Sequence, residues 1–133
     1  MRYAISYVST ANTKLSPNDV KCLLDKVEED NNGKNITGIL LSSATNFFQL
    51  LEGEEKVIKE LYSHILSDDR HNNLIKFIDQ PVTINSYDGY LSEVVTDQNR
   101  HNKKSLKTYL HYIEVLDPES RKAVKRVIEA ILI

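Results

Sequence analysis

The sequence has no tryptophan, a single cysteine and no long apolar run. Cys22 alone excludes an intrachain disulfide and a cysteine metal site and suits a reducing compartment, and we expect it to be a buried helical thiol. The apolar runs are far shorter than the roughly 20 residues that cross a bilayer. No basic leader with an apolar stretch opens the chain, so no targeting segment is expected. We predict a cytoplasmic protein.

The charges are nearly balanced, with 17 Lys plus Arg against 19 Asp plus Glu. The net charge of -2 gives no long-range field that would favour nucleic acid or an anionic membrane, so neither partner is expected. With 133 residues and 41% hydrophobic content, the chain can bury one continuous core without disulfides or metal.

The N-terminal third predicts a strand followed by a helix. Residues 2–9 alternate in polarity and place Tyr3, Ile5, Tyr7 and Ser9 on one face of a strand. Ser16 is placed as an N-cap, with Pro17 behind it and Asp19 three residues on, so a helix begins there. Its apolar residues fall at i, i+3, i+4 and i+7, which predicts packing on a sheet.

The middle of the chain predicts a hairpin, a second helix and two more strands. ITGILLSS and FFQLLEG are joined by turn-forming residues, and an amphipathic segment follows at about 55–68. Short strands are expected at 74–78 and 90–95, separated by Pro81 and the polar Asn85 and Ser86. The order βαββαβ with one added strand predicts an α+β, ferredoxin-like sandwich with helices on one face of a mostly antiparallel sheet.

Beyond about residue 98 the pattern changes to two helices, the first with an apolar stripe at Leu106, Tyr109, Leu110 and Ile113. The second opens at Asp117 and Pro118. We therefore divide the chain into a domain at 1–97 and a helical extension at 98–133. The extension either packs on the sheet or closes a homodimer, for which four exposed cations of the last helix are suited: Arg121, Lys122, Lys125 and Arg126.

Several polar residues are unusual for a purely structural domain, although each has an ordinary local explanation. Gln49 is the one polar side chain in the apolar segment Phe47 to Leu51, and a buried amide costs about 1–3 kcal/mol unless it is hydrogen-bonded. Taken alone, Tyr7 is typical of a sheet-packing residue whose hydroxyl reaches solvent, and Asn31 of a helix C-cap. Arg70 and His71 suit a helix C-terminus by charge.

Together these residues match a known pattern, and the first 95 residues resemble the BLUF domain. The motifs that carry the resemblance are Tyr7-Val8-Ser9, then Asn31 with Ile36-Thr37-Gly38, then Phe48-Gln49-Leu50-Leu51-Glu52-Gly53, then Asp68-Asp69-Arg70-His71. Four motifs in order at the family's spacing are far more specific than any one of them. The resemblance implies non-covalent flavin binding and blue-light sensing, with FAD as the flavin expected and FMN or riboflavin as alternatives.

The resemblance also implies roles for individual residues. Tyr7 would be the photochemical donor of an electron and a proton, and Gln49 the amide that switches between Tyr7 and the flavin. Asn31 would hold the C4 carbonyl and N3 edge of the ring. The edge of the flavin or its ribityl chain would be lined by Asp68, Arg70 and His71, and an apolar wall would be supplied by Ile36 and the second strand.

The chain departs from the family on the last strand. Where the family usually has a tryptophan and, two residues later, a methionine, this sequence has Tyr90 and Ser92. A small hydroxyl in place of a large thioether puts in question how Gln49 communicates with that strand.

Three functions follow as hypotheses. The first is a light sensor that signals to a protein partner and has no catalytic activity of its own. The second is a ferredoxin-like enzyme, an acylphosphatase-like hydrolase or a flavin reductase, which Ser9-Thr10-Ala11-Asn12 disfavours because it has no glycine or arginine to hold an anion. The third is an interaction module that keeps the fold and has lost its response to light.

Overall fold

A computed structural model of the chain describes residues 2–43, 45–82, 89–95, 103–114 and 116–131. It contains five strands, β1 (Arg2–Ala11), β2 (Thr37–Ser43), β3 (Asn46–Glu54), β4 (His71–Val82) and β5 (Tyr90–Val94). Its helices are α1 (Pro17–Gly33), α2 (Glu55–Leu66), α3 (Lys103–His111) and α4 (Pro118–Ile131).

The strands form one mixed sheet in the order β4-β1-β3-β2-β5. β1 pairs antiparallel with both β3 and β4, β2 and β3 form the predicted hairpin, and β5 adds to β2 in parallel. This order is that of a ferredoxin-like sheet with one added strand, so the predicted fold class is confirmed. The arrangement places β1 and β3 at the centre, where both faces of the sheet are covered.

Helices α1 and α2 cover one face of the sheet. The capping box predicted for α1 is present, because Ser16 Oγ accepts from the Asp19 amide and the Asp19 carboxylate accepts from the Ser16 amide. The core beneath both helices contains residues of alternate parity along each strand, including Ile5 and Tyr7 of β1 and Phe47 and Leu51 of β3. Gln49 shares this parity and therefore faces α1 and α2.

Helices α3 and α4 pack on the opposite face. Phe48 and Leu50 of β3 share a core there with Tyr109 of α3 and with Val124 and Ile128 of α4. The charged residues of α4 face outward, so its amphipathic pattern is explained by the sheet. None of the helices in the described ranges is long and apolar enough to cross a membrane.

Some predictions differ from the structure. β4 spans twelve residues and includes Pro81, which the edge position of the strand permits because no neighbour needs its amide. Cys22 is exposed and not buried, because it lies beside the apolar stripe of α1 and points to solvent. The predicted turn at Asn85 and Ser86, the side chain of Leu106 and the division at 97/98 lie outside the described residues.

Candidate functional site

A cavity of about 210 Å³ lies between α1, α2 and the sheet. Its apolar walls come from α1, α2, β2 and β3, namely Leu23, Val27, Leu61, Ile65, Leu40 and Phe47. Polar residues line the floor and the mouth, namely Tyr7, Gln49, Asn31, Asp30, Lys34, His64, Asp68, Arg70 and His71. Apolar walls with a few convergent polar groups are typical of a small-molecule site.

Tyr7 and Gln49 form a cross-strand pair on the floor of this cavity. They lie directly opposite each other in the antiparallel register of β1 and β3, on the face that α1 and α2 cover. Tyr7 is 4% exposed and Gln49 is 3% exposed, and the Tyr7 hydroxyl donates a hydrogen bond to Gln49 Oε1. The hydroxyl of Tyr7 therefore does not reach solvent, unlike that of an ordinary sheet tyrosine.

The other end of the Gln49 amide contacts β5. Gln49 Nε2 donates to the hydroxyl oxygen of Tyr90, whose ring is also buried. Burial raises the pKa of Tyr90 above the usual range of a phenol, and the side-chain amides of Gln49 and then Asn31 offset part of that rise. Burial likewise raises the pKa of Tyr7, with the neighbouring phenols of Tyr90 and Tyr62 adding to it. Both phenols at the amide thus remain protonated at physiological pH.

Asn31 supplies a hydrogen-bond donor to the same cavity. It lies in the last turn of α1 and not at its cap, which is Lys34, and its own backbone carbonyl accepts from the amides of Lys34 and Ile36. Its side chain is 3% exposed, and Nδ2 has no partner at hydrogen-bonding geometry among the described residues, although the amide lies near enough to the Tyr90 hydroxyl to lower the pKa of that phenol. A buried amide donor without a partner costs about 1–3 kcal/mol. The cavity therefore fits a ligand with a carbonyl acceptor, which the edge of a flavin ring provides.

Asn32, the next residue, fastens β5 to the end of α1. Its Nδ2 donates to the Tyr90 carbonyl at 3.1 Å, and its Oδ1 accepts from the Tyr90 amide at 2.9 Å. Gly89 permits this approach, because its φ is +74° and an added Cβ would lie 2.8 Å from Asn32 Oδ1. Asn31 thus faces the cavity, whereas Asn32 holds the backbone of Tyr90.

Asp68 and Arg70 lie at the mouth of the cavity as an ion pair. The guanidinium donates to both carboxylate oxygens, with Nε 2.9 Å from Oδ1, and the Arg70 amide also donates to Oδ1 at 2.9 Å. These hydrogen bonds, the one from the guanidinium first, lower the pKa of Asp68. The pair is partly exposed, so it orders the loop after α2 and leaves the site little net charge.

His71 connects the end of α2 to β1. Its Nε2 lies 2.7 Å from the Ile65 carbonyl oxygen, which can only accept, so Nε2 carries the proton. In the neutral ring Nδ1 therefore accepts from the Ser9 hydroxyl at 2.8 Å. The ring packs edge-on against Tyr7 with centroids 6.0 Å apart. His71 lines the cavity as a wall that fixes the Tyr7 ring, with both nitrogens already bonded.

Two residues assigned to the site from the sequence lie elsewhere. Ile36 is not part of the cavity lining. It is 1% exposed and lies directly before β2, where its side chain packs against Gly53; a Cβ added to Gly53 would lie 3.7 Å from Ile36 Cγ1. Ser92 makes no hydrogen bond to Gln49, because the two residues pair with Leu40 of β2 from opposite sides and the serine side chain is much shorter than that of Tyr90. Its hydroxyl instead contacts the Leu24 carbonyl and a Glu28 carboxylate oxygen, each at 3.0 Å.

The resemblance implied an apolar wall from the second strand, to which Leu40 contributes, but neither the lining residues of the helices nor Asn32 were assigned to the site from the sequence. The stripes of the two helices predicted packing on the sheet, but not which of their residues would line a cavity. The bidentate contact of Asn32 depends on a strand 58 residues away, for which a single sequence contains no local signal.

Comparison with known proteins identifies the family. Residues 3–93 match the BLUF family, described as sensors of blue-light using FAD. The chain is 46% identical over 43 residues to the blue light- and temperature-regulated antirepressor BluF of Escherichia coli K12. The match covers 32% of the chain and 11% of that protein.

Solved structures agree with this family and with the fold. The Klebsiella pneumoniae BlrP1 with FMN and cyclic diGMP matches at a TM-score of 0.77 and 26% identity, over 96% of this chain and 34% of that one. The BLUF portion of BlrP1 matches at a TM-score of 0.74 and 25% identity, over 98% and 90%. The chain belongs to the BLUF family of flavin-based blue-light sensors. It spans about a third or less of the longer relatives it matches.

Proposed function

We propose that this chain senses blue light through a flavin ring held in the cavity between α1 and α2. The observation that carries the proposal is the buried amide of Gln49, hydrogen-bonded to Tyr7 on the cavity floor. A bound flavin supplies light absorption and a change in the hydrogen-bonding strength of its ring edge. The hydrogen-bonding side chains of the cavity then determine which arrangement is stable after the ring has absorbed light.

Each polar side chain has a task in this proposal. Asn31 Nδ2 donates to a ring carbonyl, which satisfies the donor that otherwise has no partner. Tyr7 is a neutral phenol, so it can give an electron and a proton together. Gln49 carries a donor and an acceptor on one rotatable group, so its rearrangement stores two states.

The dimensions of the cavity favour a flavin whose tail lies outside. About 210 Å³ is less than the roughly 300–1,000 Å³ of a complete ligand pocket, so the enclosed part takes the flat ring. The exposed Lys34 and the ion-paired Arg70 stand at the mouth, where a phosphate would emerge. We propose FAD as the flavin, on the family description, with FMN as the alternative because the Klebsiella structure contains it.

We propose that the output is a protein contact and not catalysis by this chain, in the cytoplasm. The Escherichia coli relative is a light-regulated antirepressor by name, which supports a protein as the target. Gln49 contacts β5 through Tyr90, and β5 leads towards α3 and α4 on the opposite face. The exposed side of α4 is a candidate for this contact or for a homodimer, and its cations are Arg121, Lys122, Lys125 and Arg126.

The test is reconstitution of the purified protein with flavin, followed by illumination. We expect a yellow protein whose absorption moves to the red under blue light and returns in the dark. Tyr7→Phe should bind flavin and lose the cycle, whereas Tyr62→Phe, a ring neighbour 6.0 Å from Tyr7, should keep it. A protein that takes up no flavin would refute the proposal and favour the light-insensitive interaction module.

A further inference from the structure

The Gln49 amide is held between two phenols from different strands. Tyr7 of β1 donates to Gln49 Oε1, and Gln49 Nε2 donates to the hydroxyl oxygen of Tyr90 of β5. All three side chains are at most 4% exposed. We call this arrangement the amide bridge. Each member is almost fully buried, and Tyr7 and Gln49 face the cavity, so in the flavin-loaded protein the hydrogen bonds of the bridge come from the protein or from the bound ligand.

A phenol at position 90 has a property that an indole or a thioether lacks. A hydroxyl group both donates and accepts, an indole only donates, and a thioether sulfur accepts weakly. Burial keeps the hydroxyl protons of Tyr7 and Tyr90 in place. In the observed orientation, Tyr90 accepts from Nε2 of Gln49. If the amide turns by 180°, Nε2 donates to the Tyr7 oxygen and the Tyr90 hydroxyl donates to Oε1.

Both orientations of the amide therefore make two hydrogen bonds to the phenols. We propose that Tyr90 is a positioning residue that makes the amide bridge two-state, holding Gln49 equally well in the dark and the illuminated orientation. An indole in its place could donate to Oε1 in the turned orientation. In the observed orientation its N–H would face the Nε2 donor of Gln49, and neither group could accept. This inference rests on the proposed rearrangement of Gln49 and adds that the hydroxyl of Tyr90 changes from acceptor to donor.

The position of Tyr90 also shows where the change would go. Its backbone is held at both the amide and the carbonyl by Asn32 of α1, and the Gly89 carbonyl accepts from the Gly38 amide at 3.1 Å. The backbone is thus fixed, while the hydroxyl, which lies beside the side-chain amides of Gln49 and Asn31, can change from acceptor to donor. Ser92 contacts α1 and not Gln49, so within the described part of β5 the link from the amide runs through Tyr90.

The effect on the lifetime of the illuminated state follows from the strength of one hydrogen bond. The amide breaks its bonds to both phenols as it turns, so removing the Tyr90 hydroxyl raises the energy of the illuminated state and leaves the barrier top unchanged. Losing one neutral hydrogen bond, about 0.5–1.5 kcal/mol, speeds recovery by about 2- to 12-fold. Tyr90→Phe keeps the ring and its packing, so folding and flavin binding should persist.

The experiment compares wild type, Tyr90→Phe and Tyr62→Phe, each loaded with the same flavin. We expect dark recovery to be about 2- to 12-fold faster in Tyr90→Phe and unchanged in Tyr62→Phe, which keeps the ring beside Tyr7 and removes a hydroxyl that is not part of the amide bridge. Light-minus-dark infrared spectra with isotope-labelled tyrosine should show two responding tyrosines in wild type, and one in Tyr90→Phe.

The outcomes separate this inference from the proposed function. If wild type cycles, but Tyr90→Phe recovers at the same rate with the same tyrosine bands, the role of Tyr90 is refuted and the sensor function stands. If wild type binds no flavin or shows no shift, the proposed function itself fails.

Discussion

Replacing Asn31 by leucine should change two properties in opposite directions. The side chain is 3% exposed, and its Nδ2 is a buried donor without a partner in the described residues. Leucine has a similar volume and no polar atom, so the flavin-free protein should gain about 1–3 kcal/mol in its free energy of unfolding. The flavin should lose the donor to its carbonyl, and its affinity should fall by about 5- to 150-fold, the equivalent of the same 1–3 kcal/mol.

Urea unfolding of the flavin-free protein measures the first effect, and fluorescence quenching during a flavin titration measures the second. Glu29→Leu is the matched control, because Glu29 lies on the solvent side of the same helix and reports the change in helix propensity. It should move the free energy of unfolding by no more than about 0.5 kcal/mol and leave flavin affinity unchanged. Reduced stability together with unchanged affinity in Asn31→Leu would refute the assignment of Asn31 to a ligand.

The remaining predictions concern the frame that holds the site. Glu52 is fully buried and ion-paired with the partly exposed Arg2 at 2.8 Å. Arg2→Ala leaves the buried Glu52 charge without its partner, so it should lower the free energy of unfolding in urea by about 3–5 kcal/mol. Glu52→Gln should cost less, because the freed Arg2 guanidinium can turn to water. Equal costs for the two variants would contradict this. Gly38 has φ +134°, and an added Cβ would lie 1.9 Å from a backbone oxygen of β3. Gly38→Ala should lose more than about 4 kcal/mol, whereas Gly33→Ala, with nothing within 4 Å, should be tolerated on thermal unfolding. Hydrogen bonds at the start of α4 lower the pKa of Asp117 to about 2, so their contribution to stability is complete above about pH 4 and is lost as the pH falls through 2. A carbon NMR titration of the Asp117 carboxyl should give a midpoint of about 2. A midpoint near 3.9 would show that the hydrogen bonds to Asp117 at the start of α4 are not made in solution.

The fold could be predicted largely because its local signals agree with one another. The capping box at Ser16 and Asp19, the alternation in β1 and the parity of Gln49 all depend on residues a few positions apart. The bounds of β4 were wrong because its polar residues resemble a loop, and only pairing with β1 shows that they form an edge strand. Pro81 indicated that the strand had ended, but β4 lies at the edge of the sheet, where a proline is tolerated.

The candidate site was predicted only in part. Tyr7, Asn31 and Gln49 line one cavity, because they belong to elements whose order was correct. The contact between Gln49 and Tyr90 could not be predicted from the sequence, since it crosses β2 diagonally and depends on the length of both side chains. Ile36 was placed in the wall because the motif contains it, but the motif does not show which of its residues face a cavity.

The central claim is that Gln49 is the group that rearranges on illumination. The most direct test is the light-minus-dark absorption spectrum of Gln49→Leu loaded with flavin. Leucine keeps the volume and removes both the donor and the acceptor, so we expect the flavin to bind and the red shift under blue light to be absent. A red shift of normal size in this variant would contradict the claim and place the switch elsewhere.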